Sequence, residues 1–171
     1  LVELINQNAA AEIAVVAPMD GFHRTNYELS QMGIWEFKGV PASFTGDAFI
    51  EKLAELKNEE KNVGWPTFDR AIEEPTPDGT FIAPHHQIVI VEGNYLLLDY
   101  EPWSKALDLL DTVWFIESDE EIAHARLLER HIAGGKSPEN AEAKIACTDA
   151  PNAKIIEDSK VRASKIISLC G

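Results

Sequence analysis

Three acidic positions follow short apolar runs in this 171-residue chain: Asp20 after Glu12–Val16, Glu92 after Gln87–Val91, and the Glu117–Asp119 group after Thr112–Ile116. Apolar runs without polar alternation are the pattern of parallel strands covered on both faces. Ligands of such sheets bind outside the carboxyl ends of the strands. Carboxylates delivered there act as a general base or hold Mg2+, directly or through water. A carboxylate after a strand also serves as a helix cap, and Asp119 fits that use because a helical pattern starts just after it.

Arg126-Leu127-Leu128-Glu129-Arg130-His131, followed by Gly134-Gly135-Lys136, is the second segment with chemistry in it. The i, i+4 spacing puts both arginines on one helical face. Aligned guanidiniums beside a Gly-Gly hinge predict a mobile lid over about residues 126–150, one that clamps a transferring phosphoryl group. The competing reading is a solvated face paired with Glu121 or Glu129. Adjacent His85 and His86 read as loop residues. The phosphate-cradling pattern Gly-x-x-x-x-Gly-Lys-Ser/Thr occurs nowhere in the sequence.

The elements that must position these groups alternate. Leu1–Gln7 reads as the tail of a helix, and Thr45–Lys57 as an amphipathic helix with Phe49, Leu53 and Leu56 on one face and Thr45 or Asp47 as its cap. Residues 63–86 carry four prolines and the Asp78-Gly79 turn signal, so they are irregular or hairpin structure. Helical patterns cover Trp103–Leu110 and Asp119–Ile132, the latter with Ile122, Ala125, Leu128 and Ile132 inward, and Lys165–Leu169 reads as a last strand. Alternating strands and helices predict an α/β fold around a parallel sheet. No repeat or linker divides the chain, so residues 1–171 read as a single domain.

Composition narrows the partners. A formal net charge of -14 argues against nucleic acid, whose binding rests on Lys and Arg neutralising phosphates. No apolar run approaches the roughly 20 residues of a membrane helix. Cys147 and Cys170 are too few for a disulfide framework, which fits a reducing compartment such as the cytoplasm.

As a set, the motifs Pro18-Met19-Asp20-Gly21-Phe22-His23, Lys38-Gly39-Val40-Pro41, Trp65-Pro66-Thr67-Phe68-Asp69-Arg70, Ile90-Val91-Glu92-Gly93-Asn94-Tyr95 and Arg126–His131 occur in an order that resembles the uridine kinase, pantothenate kinase and phosphoribulokinase group, over nearly the whole chain. The nearest resemblance is to bacterial-type nucleoside/nucleotide kinase family proteins, often labelled fructose transport system kinases. It implies a three-layer P-loop kinase fold whose first strand and phosphate loop lie upstream of Leu1. In relatives that strand runs between those matching Gln87–Val91 and Thr112–Ile116, so its removal leaves two apolar edges and a chain that folds poorly alone.

The resemblance further implies an ATP- and Mg2+-dependent transfer to a hydroxyl of a small metabolite, of the nucleoside, pantothenate, sugar or glycerate class. Asp20 then matches the acceptor's base, with Phe22, His23, Lys38, Asp69 and Arg70 around the acceptor. Glu92 matches the acidic residue near Mg2+. Arg126, Arg130 and Lys136 match lid contacts to ATP, and Asn152 a position beside the nucleotide. The implied partners are the small-molecule substrate and a homodimer mate. The alternative is an inactive kinase-like domain that serves as a structural subunit of a protein complex.

Overall fold

The computed structural model describes residues 1–58 and 61–168. Helix α1 (Val2–Ala9) leads into strand β1 (Ala14–Pro18), two residues later than the apolar run predicts. Asn6 sets that boundary. Its Oδ1 accepts from the N–H groups of Ile13 and Ala14 at 2.9 and 2.8 Å, and its Nδ2 donates to the Ala14 carbonyl at 2.9 Å. Glu12 and Ile13 are thereby held in the connection rather than in the strand.

β1 pairs in parallel with β4 (Ile88–Glu92), Ala14 lying opposite Ile88 and Pro18 opposite Glu92. A second parallel pair joins β5 (Trp114–Glu117) to β6 (Lys165–Ser168). The predicted end of β6 at Leu169, like Cys170, lies outside the described residues. Among the described residues no ladder joins the two pairs, and Ile88, Trp114 and Ile116 stay exposed.

Between β1 and β4 the chain forms α2 (Asn26–Gln31), α3 (Gly46–Asn58) and an antiparallel hairpin of β2 (Val63–Asp69) and β3 (Glu74–Ile82). The hairpin turn falls at residues 70–73, where Glu73 takes a left-handed φ of 55°. Asp78-Gly79 is therefore not the turn: it lies within β3, opposite the register shift between Trp65 and Thr67, with Asp78 at φ 49°. The hairpin tolerates its prolines because a two-stranded ribbon consists of edges. α3 buries Phe49 and Leu53 as its period predicts, and Leu56 packs against the core more loosely. Thr45 at its start turns its hydroxyl onto the Phe22 carbonyl, at 3.0 Å.

After β4, a 3-10 turn (Trp103–Lys105) opens α4 (Ala106–Leu109); beyond β5 come α5 (Glu120–Ala133), α6 (Pro138–Lys144), a π-turn (Ile145–Asp149) and α7 (Ala150–Ser159). Asp119 caps α5 as expected, its Oδ1 accepting from Glu121 and Ile122 N–H at 2.9 and 3.2 Å. The inward stripe predicted for α5 needs correction. Ala125 and Ile132 are exposed and no residue of the helix is fully buried, because its main packing partners are only α6 and the π-turn.

The core gathers where β1, the hairpin, α3 and the segment after β4 meet. Phe22, Phe49, Trp65, Tyr95 and Trp103 are buried there, Phe22 meeting Phe49 and Trp65 edge-to-face at 5.1 and 5.3 Å. Burial of each ring is worth about 1.5–3 kcal/mol and the T-shaped contact about 0.5–1.5 kcal/mol more. These contacts brace the turn that follows β1. Among the described residues no helix is long and apolar enough to cross a membrane.

Candidate active site

Asp20 lies in a 3-10 turn (Met19–Phe22) that leaves β1 at Pro18. Two contacts hold this turn against β2. Trp65 Nε1 donates to the Pro18 carbonyl at 2.9 Å, and Gly21 presses so closely on the hairpin that an added Cβ would stand 2.0 Å from the Pro66 oxygen. That neighbour is backbone and cannot swing aside. Gly21→Ala is therefore expected to cost about 1–3 kcal/mol, read as a lower urea midpoint with unchanged m-value.

The register of β1 with β4 brings Glu92 to the same end of the sheet, and the hairpin turn adds Arg70, whose Nη2 donates to Asp20 Oδ2 at 2.7 Å. The Glu92 carboxyl is pushed above its ordinary range, first by partial desolvation and then by the Asp20 charge, with Arg70 pulling it back. Two carboxylates and a single guanidinium thus share the strand ends. Among the described residues no group of three or more metal-ligating side chains forms. One or two carboxylates completed by water and substrate phosphates are what Mg2+ uses, so the donor set fits that ion.

The raised Glu92 has a consequence for stability. The native state holds this proton more tightly than the unfolded chain, so the contribution is present below 4.5 and lost as pH rises through the folded value. At neutral pH the ionised Glu92 costs stability. Glu92→Gln is accordingly expected to raise Tm by about 1–2 °C at pH 7, after allowance for solvent screening, and to lose that gain below pH 4.5. Differential scanning calorimetry at both pH values checks it.

His23 is stacked between Phe44 and Phe68, with ring centroids 3.9 and 4.8 Å away, and its Nδ1 donates to the Asp20 carbonyl at 2.8 Å. Nε2 of the neutral ring is then left as an acceptor. Burial holds its basicity below the usual histidine value, outweighing the Asp20 carbonyl and charge that favour the proton. Lys38 reaches the same ring: its Nζ stands 4.9 Å from the Phe68 centroid and donates to Asn26 Oδ1 and the Glu73 carbonyl. Desolvation lowers its affinity for the proton against the pull of Glu73 and Glu74. Phe22 and Asp69 are placed differently from the others. Phe22 is buried in the core behind the turn, and Asp69 Oδ1 accepts from Ala71 N–H at 2.8 Å, bracing the hairpin turn.

The comparisons with known proteins bear on this arrangement. No family model matches the chain. It is 37% identical over 160 residues to the ATP-dependent kinase-like protein notR' of Aspergillus versicolor, covering 87% of this chain and 92% of that protein. It is 32% identical to a candidate uridine kinase of Schizosaccharomyces pombe, covering 91% and 69%. A crystal structure of a candidate fructose transport system kinase from Silicibacter sp. TM1040 superposes with a TM-score of 0.86 at 32% identity, covering 96% of this chain and 82% of that one. The chain belongs to the uridine kinase-like P-loop kinase family. Of two further relatives it spans 62% and 53% of the length.

The remaining residues singled out in this P-loop kinase chain lie on its C-terminal helices. Arg126 and Arg130 are exposed on α5 and make no ion pair among the described residues, so the pairing with Glu121 or Glu129 is not formed. Lys136 is exposed beyond the α5 C-terminus, where Gly135 has a φ of 90°. Asn152 is buried on α7 and its Nδ2 lies 3.5 Å from the Gly39 carbonyl, on the loop that carries Lys38.

Sequence reasoning passed over several groups that hold the site. Tyr95 donates its hydroxyl to the Gly39 carbonyl, and Lys144 Nζ donates to the carbonyls of Glu36 and Lys38 at 2.7 and 3.3 Å. Glu74 accepts from the first N–H of α2, at Asn26, through both carboxylate oxygens at 3.1 and 3.2 Å. Phe44 and Phe68 enclose His23. Only α2 had a sequence signal: Thr25-x-x-Glu28 is a capping box, and both of its reciprocal bonds form. A cavity of about 430 Å³ lies elsewhere, between Leu56, Ile82, Pro84, His86 and Val89, and touches neither Asp20 nor Glu92.

Proposed function

We propose that this chain forms the acceptor side of an ATP- and Mg2+-dependent kinase that phosphorylates a hydroxyl on a small metabolite of the nucleoside, pantothenate, sugar or glycerate class. The observation that carries this reading is the grouping of Asp20, Arg70 and Glu92 at one end of two register-matched parallel strands, in a chain of this family. Asp20 takes the acceptor hydroxyl's proton as its oxygen attacks the transferred phosphorus. His23, Lys38 and Arg70 orient the acceptor, and Glu92 would hold the metal, directly or through water. When bound, Mg2+ would neutralise the charge of the phosphoryl group that ATP supplies. Arg126, Arg130 and Lys136, which make no ion pair among the described residues, clamp the phosphates. Asn152 positions the loop of Lys38 against α7.

The second reading is a kinase-like domain retained as a structural or interaction subunit. Acceptor-dependent ADP release separates the two, measured on the protein expressed from its whole gene with ATP, Mg2+ and one acceptor from each class. Release with one acceptor class establishes the kinase; release with none, from folded protein, establishes the second reading.

A further inference from the structure

Phe68 is the ring on which the positive charge of the acceptor side converges, with Lys38 Nζ 4.9 Å and the Arg70 guanidinium 5.8 Å from its centroid. The two cations are differently occupied. Lys38 is only 17% exposed in its side chain, gives two of its three N–H groups to Asn26 and Glu73, and has the Glu73 carboxylate 3.9 Å away. Arg70 is 67% exposed in its side chain, and among the described residues its one polar contact is the bond from Nη2 to Asp20 Oδ2. A guanidinium offers five N–H donors in a planar fork, so most of its binding capacity remains open to a ligand.

On the kinase reading above, we infer that the acceptor carries an oxyanion as well as the reacting hydroxyl, and that Arg70 leaves Asp20 to bind it. The inference rests on that reading for the role of Asp20, but its geometry stands alone. Arg70 covers Oδ2, one of the two oxygens that would receive the hydroxyl proton. A neutral polyol offers nothing that competes with a carboxylate for a guanidinium, whereas an oxyanion accepts two parallel N–H bonds from it. Phe68 lies beneath the guanidinium and supports its swing through cation–π contact. Binding of the right acceptor thereby uncovers the base, so the substrate prepares its own site. In a chain of net charge -14, an exposed fork of this kind gives an anionic metabolite a local attraction against the overall field.

Isothermal titration without ATP tests this on the whole protein, using two matched pairs: pantothenate against pantothenol, and D-glycerate against glycerol. The anionic member of at least one pair should bind about tenfold or more tightly than its neutral partner, as charged hydrogen bonds allow. Arg70→Gln should erase that preference and Arg70→Lys should keep part of it, both with wild-type circular dichroism. Asp20→Asn, which frees the guanidinium, should tighten the anion's binding. Equal affinities within both pairs, a preference that survives Arg70→Gln, or no measurable binding of either anion overturns the inference. Failure of the kinase reading shows differently, as bound acceptor without acceptor-dependent ADP release.

Discussion

On the proposed kinase reading, Asp20→Asn is expected to lower acceptor phosphorylation by about 10²–10⁴-fold, the range a positioned general base contributes. The amide keeps the shape of the carboxylate and cannot take the proton, so the loss falls on kcat while acceptor binding is not weakened. The turn that carries it is fixed by Trp65, Gly21 and Thr45 rather than by the carboxylate, so circular dichroism and melting temperature should stay close to wild type. Steady-state kinetics of the whole gene product, with the acceptor that supports ADP release, is the measurement. Turnover within threefold of wild type would remove Asp20 from the chemistry and leave its bond to Arg70 as a structural contact.

Trp65→Ala destabilises the fold by about 3–5 kcal/mol, as large-to-small changes of buried aromatic residues do. Trp65 is fully buried, meets Phe22 and Phe49 edge-to-face, and holds the Pro18 carbonyl through its indole N–H. Its removal leaves a cavity and takes the indole donor from the Pro18 carbonyl beneath the Asp20 turn. A domain of this kind has about 5–15 kcal/mol in all, so the variant should be near its threshold at 37 °C. Trp65→Phe separates the two contributions: it keeps most of the packing and loses the hydrogen bond, at about 0.5–1.5 kcal/mol. Urea unfolding of both variants gives the comparison, and equal losses would show that packing is not the larger share.

The strands and the long helices were legible because their signals are local. Gln87–Val91 and Thr112–Ile116 are unbroken apolar runs, and Phe49 and Leu53 recur at the helical period. What the sequence hid was set by contacts between distant segments. Asn6 shifts β1 by binding residues seven and eight positions away, and Asp78-Gly79 looks like a turn although the strand pairing makes it a bulge. α2 carries a capping box but buries only Leu29, so periodicity alone does not reveal it. In α5 the apolar period is present without a surface to cover all of it.

The candidate site divides in the same way. Asp20 and Glu92 could be named from their places after strands. The bond from Arg70 spans 50 residues and the hold of Lys144 on Glu36 spans 108, distances at which spacing carries no information. His23 was picked out by its motif, but its lowered basicity comes from burial, with Phe44 and Phe68 packed against its ring, and then from the charges of Lys38 and Arg70, none of which the spacing shows.

The carbonyls of Glu36, Lys38 and Gly39 are held by Lys144 on α6, Tyr95 after β4 and Asn152 on α7. A ligand that displaces α6 and α7 therefore also displaces the loop on which Lys38 stands. Two such ligands, one on the helices and one against Lys38, are thermodynamically linked: each must change the other's dissociation constant by the same factor. Measured in either order, the heats and affinities of the two bindings have to close a cycle, and a break in Lys144 or Asn152 would drive that shared factor towards one.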